Sequence, residues 1–288
     1  MNYVKRRGSC TAKIQISDTK FEELKADFLQ RIETVVDKYD IPPELIYNWD
    51  HTGINYVPVS NWTMEVEGSK KVPIVGLDDK RQITVVFAGT LTGEFIPPQV
   101  IYQGTTEACH AQYDFPLAWN ITHSPNHWAN QDTQSEYTRK IILPHIKKTK
   151  CSLGLPDNQK ALCIFDVFRA QMGEDFIQEL KDNNIEIVYV PASCTDRLQP
   201  MDLSVQKVVQ DKMKQRFQSW YSKCICKQLD KGVNIDELTP VDLRLSIMKP
   251  LAAEWLLQTY TDIKADKQLI YKGFEKAGIA KVVDFDFD

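Results

Sequence analysis

The first ordered pattern along the chain is an apolar stripe that predicts an amphipathic helix. Its members recur three or four positions apart, which places them on one helical face. Thr19 and Glu22 have the spacing of a capping box at the start of this helix. Proline cannot continue a helix, so Ile41-Pro42-Pro43 ends it. The stripe consists of Phe21, Leu24, Phe28, Ile32, Val35 and Tyr39.

Short apolar runs bounded by turn residues predict the strands that follow. A first strand ends near Asp50, and residues 72–77 are also strand-like. Residues 82–89 and 95–102 flank Leu91-Thr92-Gly93-Glu94, which is typical of a hairpin turn. Pro97-Pro98 lies inside the second arm and predicts an edge strand or a bulge, because proline cannot donate to a sheet ladder.

The second half of the chain alternates between helical and strand patterns. Residues 104–133 look irregular, and a helix follows from Asp132 to about Ile146, its end weakened by Pro144. Strand 161–165, helix 172–181 and strand 185–190 form a βαβ unit, which implies parallel strands. The later helices are predicted from about Asp202 to Leu229 and within 239–276, the last with Thr239 as N-cap before Pro240.

This order of elements predicts an α/β fold. Three antiparallel strands, a helix, and then strand, helix, strand and helix give a mixed five-stranded sheet with helices on both faces. The predicted organisation is a basic linker at 1–16, a main domain at 17–232 and a helical C-terminal extension with an acidic tail at 233–288. No apolar run is long enough to cross a membrane, so we expect no membrane association.

Charge is distributed unevenly along the chain, whose formal net charge is −4 over 288 residues. Basic residues are concentrated in 1–16, 139–150 and 207–231. Basic segments on an acidic average are compatible with a nucleic-acid groove beside an acidic site. Any one of these segments is equally well explained as a solvated helix face. Four side chains are candidates for contacts with DNA phosphates: Arg169, Lys207, Lys147 and Lys148.

Three aspartates are the candidate catalytic residues. Asp50 and Asp166 each close an apolar strand, and Asp202 opens the long helix after Leu198-Gln199-Pro200-Met201. A carboxylate at the end of an apolar strand costs desolvation energy unless it is paired or bound to a metal. Neighbouring strands can bring Asp50 and Asp166 together. The loop acid Asp196 competes with Asp202 for the third place.

Such a cluster of carboxylates favours hard divalent cations. Three carboxylates near one point repel one another, and one keeps a raised pKa unless cations neutralise the site. Oxygen ligands suit Mg²⁺ or Mn²⁺ rather than zinc. Two such ions can activate an attacking oxygen and stabilise the leaving one in an in-line displacement at phosphorus. We therefore expect Asp50, Asp166 and Asp202 to bind Mg²⁺ or Mn²⁺.

Three segments resemble the DDE endonuclease superfamily, and more narrowly the pogo, Tigger and jerky branch of the mariner-type transposases. They are Asn48-Trp49-Asp50-His51-Thr52-Gly53, Ile164-Phe165-Asp166, and Pro191 to Asp202. The resemblance covers about residues 20–230 and implies a ribonuclease-H-like fold. It also implies metal-dependent hydrolysis at transposon ends, followed by attack of the freed 3′-hydroxyl on target DNA. The three family carboxylates map onto Asp50, Asp166 and Asp202.

The chain departs from the family pattern at two places. His51 follows the first acid where the family often has Glu or Gln, and Val167 to Gln171 replaces an Asn-x-x-Ala-His segment after the second. Both changes affect the supporting shell of the site rather than a carboxylate. The family places helix-turn-helix DNA-binding domains before the catalytic core. The chain, with room only for their trailing linker, is therefore expected to be a truncated copy, a fragment or a domesticated derivative.

The functional hypothesis is a Mg²⁺- or Mn²⁺-dependent DNA endonuclease and strand transferase that acts in the nucleus, with DNA as partner and a homodimer as a candidate assembly. The alternative is a domesticated, inactive transposase derivative that binds DNA or a protein; a nuclease on RNA–DNA hybrids is a third class. His51 is interpreted as a supporting or surface residue. His123 and His127 are four residues apart, but Pro125 between them argues against one helical face. Loop packing or substrate contact is therefore the preferred interpretation for both histidines.

Overall fold

The computed structural model describes residues 16–58, 79–166, 173–234 and 237–287. Some of the predictions fall wholly or partly outside these ranges. Among them are the basic linker at 1–16, the strand at 72–77, the start of the helix at 172–181, and Arg169. Within the described part of the chain, no helix is both long and apolar enough to span a membrane.

A single mixed sheet forms the centre of the described chain. Its order is β4-β3-β2-β1-β5-β6, with β1 antiparallel to β2, β2 antiparallel to β3, and parallel pairing elsewhere. The predicted mixed α/β class is confirmed, and the sheet has six strands where the sequence predicted five. The strands are β1 (Ile46–Asn55), β2 (Gln82–Thr90), β3 (Phe95–Gln103), β4 (Asn120–Ser124), β5 (Ala161–Phe165) and β6 (Ile185–Tyr189).

The additional strand is β4, which lies in the segment predicted to be irregular. Its residues are mostly polar, but their partners come from elsewhere in the fold. Asn120 accepts a hydrogen bond from buried Gln99 at 2.6 Å, and both Asn120 and Thr122 donate to Glu136. Hydrogen bonds of this kind offset the cost of burying polar side chains. The strand therefore forms without the apolar alternation that predicts strands from sequence.

Pro97-Pro98 produces a bulge rather than an edge. Strand β3 has neighbours on both sides, so the edge interpretation was wrong. The register between β2 and β3 shifts because Val86 pairs with Gln99 and Ala88 pairs with Ile96. Two residues of β3 therefore stand opposite one of β2 at the two prolines, whose missing N–H groups are tolerated there.

The helices confirm most of the predicted segments and correct several of their ends. The α-helices are α1 (Asp18–Tyr39), α2 (Gln131–Tyr137), α3 (Leu143–Ser152), α4 (Glu174–Asp182), α5 (Thr195–Leu198), α6 (Pro200–Leu203), α7 (Val205–Leu229), α8 (Leu245–Lys264), α9 (Lys267–Ala277) and α10 (Ile279–Val282). Ser17, not Thr19, caps α1. Helix α8 begins at Leu245, so the predicted start at Thr239-Pro240 was wrong.

Helices cover both faces of the sheet, as the alternation of side chains along β1 shows. Tyr47 reaches His145 of α3 at 2.9 Å, and the ring of Trp49 contacts Tyr137 of α2. Residues in between point to the opposite face, where Asn48 contacts the backbone of Met201. We call the face to which Tyr47 and Trp49 point the α3 face, and the face to which Asn48 points the α7 face. Both faces of β1 are buried, which explains its nearly continuous apolar start.

The helix predicted from Asp132 passes Pro144 and continues to Ser152. Residues Thr138–Ile142 form a π-helical turn between α2 and α3, in which the Leu143 amide bonds to the Thr138 carbonyl. The wider turn comes directly before the proline, which lacks an N–H and cannot join a regular helical ladder. The proline therefore changes the local winding of the helix without ending it.

The long helix predicted to start at Asp202 is divided into two. Helix α6 ends at Leu203, Ser204 leaves the helical conformation with φ −133° and ψ −69°, and α7 then begins at Val205. Helix α9 packs closely on this corner. A Cβ on Gly273 would lie 2.3 Å from the Pro200 carbonyl oxygen and 2.5 Å from the Ser204 hydroxyl. The C-terminal helices thus support the segment that carries Asp202.

Candidate active site

Strands β1 and β5 place two of the predicted acids on the same face of the sheet. The parallel register pairs Ile46 with Leu162 and Asn48 with Ile164. Asp50 stands two residues further along β1, and Asp166 stands two residues after Ile164, directly after the end of β5; in extended chain a step of two returns to the same face. Strand β1 itself continues to Asn55, so the prediction that it ends near Asp50 was wrong. Its pairing with β5 stops at Asn48, which leaves Asp50 open on that side.

A buried asparagine joins the three segments that carry the aspartates. The Asn48 side chain donates to the Ile164 carbonyl at 2.7 Å and accepts from the Met201 amide at 2.9 Å. Asn48 precedes Asp50 by two residues, Ile164 precedes Asp166 by two, and Met201 directly precedes Asp202. The Asn48 side chain is fully buried, so no water replaces these bonds. One side chain therefore fixes the relative position of β1, β5 and α6.

The first turns of α7 run along the same stretch of β1. The Gln206 side-chain amide donates to the Asp50 carboxylate, and Gln210 donates to the Thr52 hydroxyl at 3.3 Å. Four helical residues advance about 6 Å and two strand residues about 6.6 Å, so the two contacts match in spacing. Gln206 thereby orients the Asp50 carboxylate.

The electrostatics of Asp50 show that the acids are close to one another. Burial is the largest cause that raises the pKa of Asp50, and the negative charges of Asp202 and Asp166 raise it further, to about 8. Hydrogen bonds from the His51 backbone and from Gln206 oppose this rise. At neutral pH Asp50 therefore holds a proton unless a cation offsets the surrounding negative charge.

The third acid of this group is Asp202 and not Asp196. Asp202 lies in α6, directly after the backbone amide that Asn48 holds, and its charge acts on Asp50. Asp196 is exposed on α5 and is absent from the charges that raise the pKa of Asp50. The structure thus brings together the three acids that the sequence selected: Asp50, Asp166 and Asp202.

The predicted DNA-binding lysines separate into two groups. Lys207 is exposed in the first turn of α7, directly after Gln206 in sequence. Lys147 and Lys148 are exposed on α3, whose His145 contacts Tyr47 on the α3 face. These two lysines therefore lie across the sheet from Asp50.

His51 also lies away from the acids. Its side chain points to the α3 face and contacts the side-chain amide of Gln134. Burial lowers the pKa of His51 to about 4, so the ring is neutral at physiological pH. The departure from the family pattern at this position therefore concerns packing between β1 and α2, not the group of acids.

Sequence reasoning missed the two residues that organise the site. Asn48 and Gln206 are polar residues without a distinctive spacing from the acids. One signal was present for Asn48, because an asparagine inside an apolar strand must find a partner. Its sequence neighbours offered none, which pointed to a long-range contact. Gln206 carried no comparable signal.

Comparison with known proteins adds family information to this geometry. A family model described as "DDE superfamily endonuclease" matches residues 80–266. The match contains Asp166 and Asp202. Asp50 precedes it in sequence and joins the other two acids through the pairing of β1 with β5.

Curated relatives are about one quarter identical in sequence to this chain over the matched residues. The human Jerky protein homolog is 25% identical over 198 residues, covering 66% of this chain and 34% of the relative. The mouse Jerky protein is 26% identical over 59% of this chain and 29% of its own length. The human Pogo transposable element with KRAB domain is 22% identical over 84% of this chain and 36% of its own length. The chain spans about a third of these relatives' length.

Solved structures share the fold. The Mos1 Strand Transfer Complex matches with a TM-score of 0.54 and 10% identity, covering 98% of this chain and 67% of that chain. A pre-cleavage Mos1 transpososome matches with a TM-score of 0.51 and 12% identity, covering 93% and 68%. The ribonuclease-H-like fold expected from the resemblance is confirmed.

Proposed function

Because the chain belongs to the DDE superfamily endonuclease family, we propose that it is the catalytic core of a transposase-type enzyme that cuts DNA. Residues 17–232 form the catalytic domain in this proposal, and 233–288 form an extension that supports it. Asp50, Asp166 and Asp202 hold Mg²⁺ or Mn²⁺. The observation that carries the proposal is that the buried Asn48 side chain joins the three segments that bear these acids.

The residues present fit such cations. Carboxylate oxygens are hard ligands, and the mutual repulsion at Asp50 is the condition that bound divalent cations relieve. When bound, the cations supply activation of an attacking oxygen and stabilisation of the leaving oxygen. Asn48 keeps the segments of the three acids in place, and Gln206 orients Asp50. Lys207, exposed beside Gln206, binds a DNA phosphate.

DNA is the proposed partner, and the nucleus is the proposed location. The relatives that carry transposon-derived names and the structural match to Mos1 assemblies support both proposals. Lys147, Lys148 and Arg169 are further candidates for phosphate contacts; a homodimer is the proposed assembly. Lys147 and Lys148 would bind DNA that passes the α3 face.

A nicking assay tests the proposed activity. Supercoiled plasmid is incubated with the protein and Mg²⁺ or Mn²⁺, and relaxed and linear products are measured over time. Asp166→Asn should abolish cleavage, because it removes a cation ligand. Asp196→Asn is the matched control, since it removes an exposed acid from the neighbouring helix and should leave cleavage unchanged. Equal cleavage by the wild type and Asp166→Asn would remove Asp166 from the mechanism.

Calorimetry with Mn²⁺ separates the enzyme from a non-cutting derivative. The departure at Val167 to Gln171, directly after Asp166, is the observation that motivates this alternative. A folded wild-type protein that binds no Mn²⁺ at millimolar concentration favours a derivative that only binds DNA or a protein. Mn²⁺ binding that is lost in both Asp50→Asn and Asp202→Asn supports the catalytic assignment.

A further inference from the structure

A second group of metal-ligating side chains lies at the edge of the sheet. Cys109, His110 and His123 each offer a donor atom, and the three donor atoms lie within 4.8 Å of one another. All three side chains are half-buried. Cys109 and His110 stand at the end of a 3₁₀ turn (Glu107–Cys109) that follows β3, and His123 lies in β4.

The spacing of the donors suits a tetrahedral cation. His110 Nε2 and His123 Nδ1 are 3.1 Å apart. Zinc bonds to nitrogen are about 2.0–2.1 Å and bonds to sulfur about 2.3 Å, which puts neighbouring tetrahedral ligands about 3.3–3.5 Å apart. The histidine nitrogens already share a hydrogen, and a cation would take the place of that proton. The Cys109 sulfur lies within 4.8 Å of both nitrogens.

The surrounding structure holds the three side chains in place. The β3–β4 register sets Tyr102 beside His123, and the His110 ring packs against Tyr102 with centroids 5.5 Å apart. Gly104 allows Cys109 to approach, since a Cβ on Gly104 would lie 2.4 Å from the Cys109 Cβ. Lys249 of α8 donates to the Cys109 carbonyl oxygen. A preorganised site of this kind needs little rearrangement to accept a cation.

A cleft beside the group reaches His123, one of the three ligands. The cleft has a volume of about 320 Å³ and is lined by His123 and Gly104 among others. Glu136 also lines it, but its carboxylate already accepts hydrogen bonds from Asn120, Thr122 and Lys140. A water molecule would complete the coordination, as in zinc sites with three protein ligands.

We propose that Cys109, His110 and His123 bind one zinc ion, which ties the turn after β3 to the edge strand β4. A thiolate with two imidazoles is a borderline-soft donor set that selects zinc over Mg²⁺. The site is chemically and spatially separate from the aspartates. Zinc binding stabilises the polar edge strand, because the unfolded chain does not hold the three ligands together. This proposal does not depend on DNA cleavage.

Cobalt(II) substitution tests the ligands directly. The full chain is titrated with Co²⁺ in excess Mg²⁺, which keeps the aspartates occupied. We expect one equivalent to bind with a sulfur-to-cobalt charge-transfer band and tetrahedral visible bands, both bleached by one equivalent of Zn²⁺. Cys109→Ser should remove the charge-transfer band, and His123→Ala should weaken Zn²⁺ binding at least tenfold. Exposed Cys151→Ser is the matched control and should behave as the wild type.

Three results would overturn the proposal. They are the absence of stoichiometric Zn²⁺ or Co²⁺ binding, a cobalt spectrum without the sulfur band, and wild-type affinity in both ligand variants. A measurement on the wild type alone guards against variants that fail to fold. Zinc should slow alkylation of Cys109 by iodoacetamide at least tenfold, read by peptide mass, and leave exposed Cys226 unaffected. Equal slowing at both cysteines, or at neither, contradicts a site at Cys109.

Discussion

The group of three aspartates and the Cys109 group are built in opposite ways. The aspartates come from β1, β5 and α6, which long-range contacts of Asn48 hold together. The Cys109 group comes from one turn and the strand that follows it, within fifteen residues of sequence. Long-range assembly makes a site sensitive to packing at a distance, whereas a local site depends mainly on its own turn.

The two groups also differ in donor chemistry. The Cys109 group offers one sulfur and two nitrogen atoms, and its three donor atoms lie within 4.8 Å of one another. Such a group suits one borderline-soft cation. The aspartates offer only hard oxygens, which suit Mg²⁺ or Mn²⁺, and two such cations lie about 3.5–4 Å apart in two-metal sites. Donor type, rather than the number of ligands, therefore distinguishes the two proposed metals.

The largest effect is expected from removing the long-range hydrogen bonds that hold the three aspartate segments together. Asn48→Ala leaves the Ile164 carbonyl and the Met201 amide buried without partners, so the free energy of unfolding should fall by about 2–4 kcal/mol. Asn55→Ala, an exposed change on the same strand, should stay within about 0.5 kcal/mol of the wild type. Urea denaturation measures both. A loss in Asn48→Ala no larger than that of the control contradicts the role assigned to Asn48.

A somewhat smaller effect is expected where α9 supports the segment of Asp202. In Gly273→Ala the new methyl group meets the Pro200 carbonyl, which must move, so the loss should be about 1–3 kcal/mol. Lys272→Ala is the exposed control on the same helix. Thermal denaturation with and without Mn²⁺ measures the change. Cobalt binding at Cys109 should be retained in the folded Gly273→Ala protein. Loss of cobalt binding would contradict the independence of the Cys109 group from the aspartate segments.

The pH dependence of cation binding sharpens the comparison further. The folded-state pKa of Asp50 is raised to about 8, so Mn²⁺ must displace a proton below that pH. Apparent Mn²⁺ affinity should therefore rise with pH between 6 and 8, by up to about tenfold per unit for one released proton. Calorimetry in buffers of different ionisation enthalpy counts that proton. Asp50→Asn should remove this proton release, and an unchanged count would show that another group supplies it.

The same pKa sets the sign of a stability effect without cations. Between pH 4 and 8 the folded state keeps a proton on Asp50 that the unfolded state has lost, so stability from this group falls as pH rises. Comparing wild type with Asp50→Asn by urea denaturation across this range isolates the contribution of Asp50. The difference in unfolding free energy should shift in favour of Asp50→Asn as pH increases. A difference that is independent of pH contradicts the raised pKa.

The smallest effect is expected from removing the hydrogen bond by which Gln206 orients the Asp50 carboxylate. Gln206→Ala removes a hydrogen bond that lowers the pKa of Asp50. The pH midpoint of Mn²⁺ binding should therefore move upward, with a stability cost of about 0.5–1.5 kcal/mol. Gln210→Ala, which loses only the contact to Thr52, is the matched control and should leave the midpoint in place. The titration used for Asp50 measures both variants.

Much of the fold could be predicted because its signals are local. The stripe from Phe21 to Tyr39 and the βαβ unit at 161–190 follow from periodicity and turn residues in adjacent positions. Strand β4 and the break at Ser204 could not be predicted in this way. The polar residues of β4 are satisfied by partners in β3 and α2, and the break at Ser204 is packed against α9.

The sequence by itself determined the layered α/β pattern and selected Asp50, Asp166 and Asp202, because apolar periodicity and the placement of acids are properties of neighbouring residues. Only the tertiary structure decided that Asn48 joins the three acidic segments and that His123 stands beside His110 instead of acting with His127. A hydrogen bond between residues distant in sequence leaves no periodic trace. Its partners become known only when packing brings the segments together.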